Sequence, residues 1–201
     1  MATEQSLATT ETINGRRYYN IGEGKKYPSV TTILGAMTDM SGIDAWRKRI
    51  GNEKADAISK FSSNRGTIMH QLCEYFLGSK KETVRERLID AQTLIGPFVL
   101  ENSFTEAETN VGRKLFFNFY NSKCFERIAN VVSIEDTLIS PQMGGYAGRV
   151  DIIYENAKGC LVILDFKSSK KAKREDWIEN YKMQIAAYAL AYWGLNKRKP
   201  Q

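Results

Sequence analysis

The sequence predicts an α/β fold: a small mixed sheet flanked by helices, preceded by a largely helical region. Two observations carry this. Apolar residues recur at helical spacing through the first two thirds of the chain, and from residue 130 the pattern switches to short strand-like runs. A long helical pattern then follows at 175–195. A third observation concerns chemistry. The stretch "LVILDFKSSKK" (161–171) reads as a core strand that ends in an acid and a base, Asp165 and Lys167.

Residues 1–14 read as a polar, poorly ordered lead-in, and 15–24 as a small hairpin with "RRYYN" as its first strand. In "YPSVTTILG", Tyr27-Pro28 is extended and Ser29 or Thr31 caps a short helix. Ser41 or Asp44 opens the next helix, which runs through Trp46 towards Ile50, and helices are also expected at 52–63, 66–77, 81–94 and 109–123. That at 66–77 is the clearest, with Ile68, Met69, Leu72, Cys73 and Phe76 on one side. Strands are expected at 130–140, 145–155 and 159–168, joined by "PQMGG" and "ENAKG". Glu175 and Asp176 open the last helix, and Gly194 ends it. The expected organisation is a lead over 1–26 and one domain over 27–201, largely helical to 128, with the sheet and its motif helix over 129–195.

With 201 residues, 42% hydrophobic and 26% charged, the chain has the composition of a globular protein with a real core. A net charge of +6 suits a polyanionic partner, more so because Lys167, Lys170, Lys171, Lys173 and Arg174 crowd together just after the unusual strand. Cys73, Cys124 and Cys160 stand far apart, which argues against a disulfide framework or a structural zinc site and fits a reducing, cytoplasmic setting. His70 is the single histidine, so a multi-histidine metal site is excluded. No apolar run is long enough to span a membrane, and no membrane partner is expected.

Side chains alternate along a strand, so Asp165 and Lys167 are expected on one face and Phe166 on the other. Folding 145–155 against 159–168 about Ala157 and Lys158 leaves two registers open, with Asp151 opposite Leu164 or opposite Asp165. In the second, two carboxylates approach to roughly 5 Å at Cβ. They then need a cation or a shared proton, and oxygen ligands so placed suit Mg²⁺ or Mn²⁺. Lys167 beside that cation would orient a water, lower its pKa or neutralise a phosphate. The plainer alternative is a hairpin end with a surface ion pair. His70 borders the apolar face of 66–77, one turn after Gly66 and one turn before Glu74, either as a packing residue or as a ligand. Gln184 and Tyr188, one helical turn apart in an apolar run, either bond to neighbouring backbone or meet a ligand.

G-x-x-x-H on a helix (Gly66 to His70), an aspartate on a strand (Asp151), D-x-K (Asp165, Lys167) and Q-x-x-x-Y on a helix (Gln184, Tyr188) resemble, in order and element type, the RecB-like branch of the PD-(D/E)XK nucleases. The segments "PSVTTILG", "AWRKRIG", "RGTIMH", "YAGRVDIIYE" and "LVILDFKSSKK" resemble the group of the mitochondrial genome maintenance exonuclease and its phage-encoded relatives, over roughly 27–193.

The resemblance implies a restriction-endonuclease-like core and a metal-dependent deoxyribonuclease, an exonuclease on single-stranded DNA; the alternatives are a catalytically weak DNA-binding or recombination accessory module with the same fold, or a structure-specific endonuclease. It implies Mg²⁺ or Mn²⁺ held by Asp151, Asp165, His70 and the carbonyl of Phe166. Lys167 would activate the water, with Gln184 and Tyr188 positioning it or a phosphate; Glu135 would support the metal and Glu74 would steady His70. Arg149, Ser168, Lys170, Lys171, Lys173 and Arg174 would contact the DNA backbone, and Trp46 would stack on a base or anchor the core. Replication or recombination proteins are the expected partners. The family core ordinarily adds a strand after the Q-x-x-x-Y helix. The tail "NKRKPQ" does not read as one, so that position is expected to be empty or covered by another element or chain.

Overall fold

The structure, a computed structural model, describes residues 8–169 and 175–201. These form two compact units. The first draws on the chain through Thr38, Ile128–Asp165 and Ser169–Gln201; the second on Asp39–Arg127 with Phe166–Ser168.

The first unit opens with an antiparallel sheet of β1 (Thr10–Ile13), β2 (Arg16–Asn20) and β3 (Lys26–Pro28). "RRYYN" is therefore the second strand, and Thr10–Ile13, expected to be unstructured, is the first. The cause is Asn14-Gly15, both at positive φ (50° and 74°), a two-residue turn whose twist suits a hairpin. The Ser29 hydroxyl then caps α1 (Val30–Met37) by accepting from the Thr32 amide at 3.0 Å.

The second sheet of this unit is a meander, β4 (Asn130–Ser140), β5 (Tyr146–Glu155) and β6 (Leu161–Leu164), antiparallel throughout. Among the described residues, the parallel pairing is an isolated bridge between Ser29 and Ala147, so two antiparallel sheets stand where one mixed sheet was expected. α6 (Glu179–Asn196) lies on β4–β6, and Val30, Leu138, Val150, Ile153, Tyr188 and Tyr192 form the core beneath it. The helix starts at Glu179, after a 3-10 turn over Glu175–Ile178, and passes Gly194 to end on Lys197 in the left-handed region.

The turn between β5 and β6 settles the register. Asn156 Oδ1 accepts from the Lys158 and Cys160 amides, and Gly159 sits at φ 72°. Five residues, Asn156 to Cys160, therefore separate the strands, and pairing runs from Glu155↔Leu161 to Ile152↔Leu164. The next step of this register sets Asp151 opposite Asp165. The strand expected to reach residue 168 stops at Leu164, so face alternation does not extend to Lys167. The tail returns to β6: the Gln201 amide donates to the Leu161 carbonyl at 2.8 Å, and Arg198 pairs with Glu155 at 2.7 Å.

The second unit comprises α2 (Ser41–Ile50), α3 (Asn52–Gly78), α4 (Val84–Glu101) and α5 (Glu106–Tyr120). The helices expected at 52–63 and 66–77 are one, α3. A mid-helix glycine costs about 1 kcal/mol, and burying Ile68, Leu72 and Phe76 outweighs it. α4 and α5 begin at capping boxes, Thr83 with Glu86 and Thr105 with Glu108. These T-x-x-E signals shift both helices from the positions that the apolar period alone suggested. Phe76 meets Phe116, Tyr120 and Phe125 with ring centroids 5.6–5.7 Å apart. α5 crosses α3 closely at Gly112, where a Cβ would stand 2.6 Å from Ile68 Cγ2. Among the described residues, no helix is long and apolar enough to cross a membrane.

Candidate active site

In the first unit a row of acids crosses the second sheet. Glu135 on β4 stands between the paired positions Ile134↔Ile152 and Asp136↔Val150, which sets it across from Asp151 on β5. Asp165 follows directly after β6 and is reached by the Gln184 amide from α6. β5 is buried on both faces, with Val150, Ile152 and Ile153 at 1% exposure or less, and Asp151 lies among them at 8%. A carboxylate oxygen of Glu135 lies within 4.8 Å of one of Asp151. Glu135 has φ 51°, a conformation that costs a non-glycine residue roughly 1–2 kcal/mol. Its carboxylate accepts from Arg149 Nε at 2.6 Å. Sequence reading raised Glu135 only as a supporting acid; its unusual backbone has no sequence signal.

α6 brings Gln184 and Tyr188 to the same row. The Gln184 amide donates to Asp165 Oδ1 at 2.9 Å and to the Tyr188 hydroxyl at 3.0 Å. With both amide hydrogens engaged, the Gln184 carbonyl is left as an acceptor and the Tyr188 O–H as a donor. Burial, reinforced by Asp165, Tyr19 and Asp151, pushes the Tyr188 phenol well above its ordinary pKa, against the opposing pull of the Gln184 bond. Tyr188 therefore stays protonated. These contacts run not to neighbouring backbone but to the Asp165 carboxylate and between the pair itself.

Gly148 makes room for Tyr188. A Cβ there would stand 2.5 Å from the Tyr188 ring. Gly148→Ala is expected to displace the ring at a cost of about 1–3 kcal/mol, lowering the melting temperature by several degrees. Loss of the Gln184–Tyr188 bond would slow turnover as well. A thermal melt and a cleavage assay on the same preparation check both.

Apart from Arg149, the other expected site residues fall in the second unit or outside the described residues. His70, half-buried on α3, meets the Phe166 ring edge-on at 5.5 Å, and Phe166 packs on Phe119 at 4.7 Å. Phe166 follows Asp165 directly in the chain, so these rings hold the residue at which the sheet strand gives way. Lys167 is exposed. Ser168 lies over Gly66, its hydroxyl 3.6 Å from where a Cβ would be. Glu74 accepts from the Gln71 side chain at 2.8 Å. Trp46 is half-buried on α2, and Arg149 of the first unit is 60% exposed at its side chain. Lys170, Lys171, Lys173 and Arg174 lie outside the described residues.

An acid row of this kind can do one thing that an ordinary hairpin end cannot. Carboxylates crowded on one sheet repel unless a cation lies between them, and hard oxygen donors match a divalent ion. The donor set thus fits the metal that such a fold uses. No curated protein matches the sequence. The sequence does match the PD-(D/E)XK nuclease superfamily over residues 44–201, a span that contains the acid row, the D-x-K triplet and the Gln184–Tyr188 helix, and the chain belongs to that superfamily of metal-dependent nucleases.

Proposed function

We propose that the chain is a Mg²⁺- or Mn²⁺-dependent deoxyribonuclease of the RecB-like branch, an exonuclease that degrades single-stranded DNA from an end in DNA processing, repair or recombination. The observation that carries the reading is the row Glu135, Asp151 and Asp165 with Gln184 bonded to its last member. The order of Gly66-x-x-x-His70, Asp151, Asp165-x-Lys167 and Gln184-x-x-x-Tyr188 supports the branch.

Asp151 and Asp165 would hold the ion, with Glu135 supporting them. A bound divalent ion supplies a hydroxide nucleophile at neutral pH and relieves charge on the phosphoryl oxygens. The residues supply the rest. Lys167, as an ammonium, orients the attacking water and stabilises the negative charge on its oxygen as that oxygen bonds to phosphorus and the bond to the leaving alkoxide breaks, the water's proton passing to solvent and solvent protonating the alkoxide. Tyr188, kept protonated by burial, donates to a phosphate oxygen or to that water. Gln184 fixes both Asp165 and Tyr188, so ligand and donor keep one geometry. Arg149, already paired with Glu135, brings positive charge to the edge of the row for a neighbouring phosphate. Ser168 and the basic run 170–174 would follow the backbone, and Trp46 would stack on a base.

End-labelled linear single strands should be degraded with Mg²⁺ or Mn²⁺ and survive in EDTA, while duplex of the same sequence is cut poorly. A circular single strand of matched length should resist, because an end must enter first. Comparable cleavage of the circle would replace the exonuclease with an open-groove endonuclease. Metal-independent cleavage, or none, would remove the proposed function.

A further inference from the structure

The second unit contains a charge where its own pattern calls for a hydrocarbon. Along α3 the buried stripe runs Ile68, Met69, Leu72, Cys73 and Phe76, all at 4% exposure or less. Extended one turn towards the N-terminus, the stripe reaches residue 65, which is arginine, 7% exposed. Its Nε is sealed from solvent without a hydrogen-bond partner. Among the described residues, its guanidinium makes no ion pair. The one buried acid of the unit among the described residues, Glu108, is committed elsewhere: it accepts from Asn64 at 2.9 Å and from the Thr105 amide and hydroxyl at 2.8 Å.

A buried guanidinium without a counter-ion is costly, and replacing such a charge with a hydrocarbon of similar length is usually neutral or stabilising. An arriving anion would supply the counter-charge that the free protein lacks. The next residue, Gly66, leaves bare helix surface under the Ser168 hydroxyl. A planar, doubly donating group matches the paired non-bridging oxygens of a phosphodiester.

We propose that Arg65 is a DNA-binding residue whose guanidinium grips one backbone phosphate of the substrate strand, making it a built phosphate subsite of the helical unit. This rests on the proposed deoxyribonuclease function. The guanidinium is held in place by a packed stem and a sealed Nε before substrate arrives, at the expense of the free protein's stability.

The test compares wild type with Arg65→Met and Arg65→Lys in EDTA, so that no cleavage occurs. It uses thermal melts and the affinity of a labelled single-stranded oligonucleotide over a range of salt. Arg65→Met should melt at the same temperature as wild type or several degrees higher, bind the oligonucleotide about tenfold or more weakly, and lose about one unit of the log–log salt slope. Arg65→Lys should fall between wild type and Arg65→Met in affinity. A fall in melting temperature or failure to fold for Arg65→Met would make the guanidinium structural and overturn the proposal. So would unchanged affinity and slope in a wild type that binds. A wild type with no affinity for the single strand would instead overturn the deoxyribonuclease reading, and this inference with it.

Discussion

Replacing Lys167 with alanine is expected to lower the rate of DNA cleavage by about 10²–10⁴-fold and to leave affinity for the single strand nearly unchanged. Lys167 directly follows Phe166, whose ring is held between His70 and Phe119. The backbone bearing the ammonium is therefore anchored although the side chain itself is exposed. A group that acts on the water contributes in the transition state and little to ground-state binding, so kcat and kcat/KM should fall together. Single-turnover rates at saturating enzyme, paired with binding in EDTA, separate the cases. A proportional collapse of affinity with a normal rate at saturation would make Lys167 a phosphate anchor and nothing more.

The second large effect is expected at Asp165. Asp165→Asn keeps an oxygen able to accept the Gln184 bond that wild type makes at 2.9 Å, so the local geometry should survive. What disappears is one negative charge from a row in which Glu135 and Asp151 already stand close. Calorimetric titration with Mn²⁺ should show affinity reduced by more than about 100-fold, beyond what loss of an outer-shell partner would cause, and cleavage should drop to background. Wild type should also melt at a higher temperature with saturating Mn²⁺, because an ion bound only by the folded state stabilises it. The variant should not respond. Equal heats and equal melting shifts in both proteins would remove Asp165 from the ligand set.

Much of the local chemistry was legible before any coordinates. Ser29 as a cap and β4 over Asn130–Ser140 stand where short-range signals put them. These features depend on side chains within a few residues of the backbone they direct. Signals of the same range were also present but weaker than the apolar period. The Asn14-Gly15 turn and the capping boxes at Thr83 and Thr105 are examples. The Asn156–Gly159 turn belongs with them, since its left-handed glycine chooses between the two registers that hydrophobicity alone left open.

The sequence by itself determined the order of chemical groups: a histidine on a helix, an aspartate in a buried strand, the acid–base triplet after it, and an amide and a phenol one turn apart on the last helix. The tertiary structure decided what those groups face. It drew Glu135 level with Asp151 through a backbone conformation at φ 51° that no residue type announces. It ended β6 at Leu164, handing Phe166 to the rings of His70 and Phe119. It buried Arg65 in an apolar stripe. Each of these outcomes depends on atoms far away in the chain. Burial, strain and counter-charge are properties of what packs around a residue, whereas caps, turns and periods are properties of the residue and its nearest neighbours.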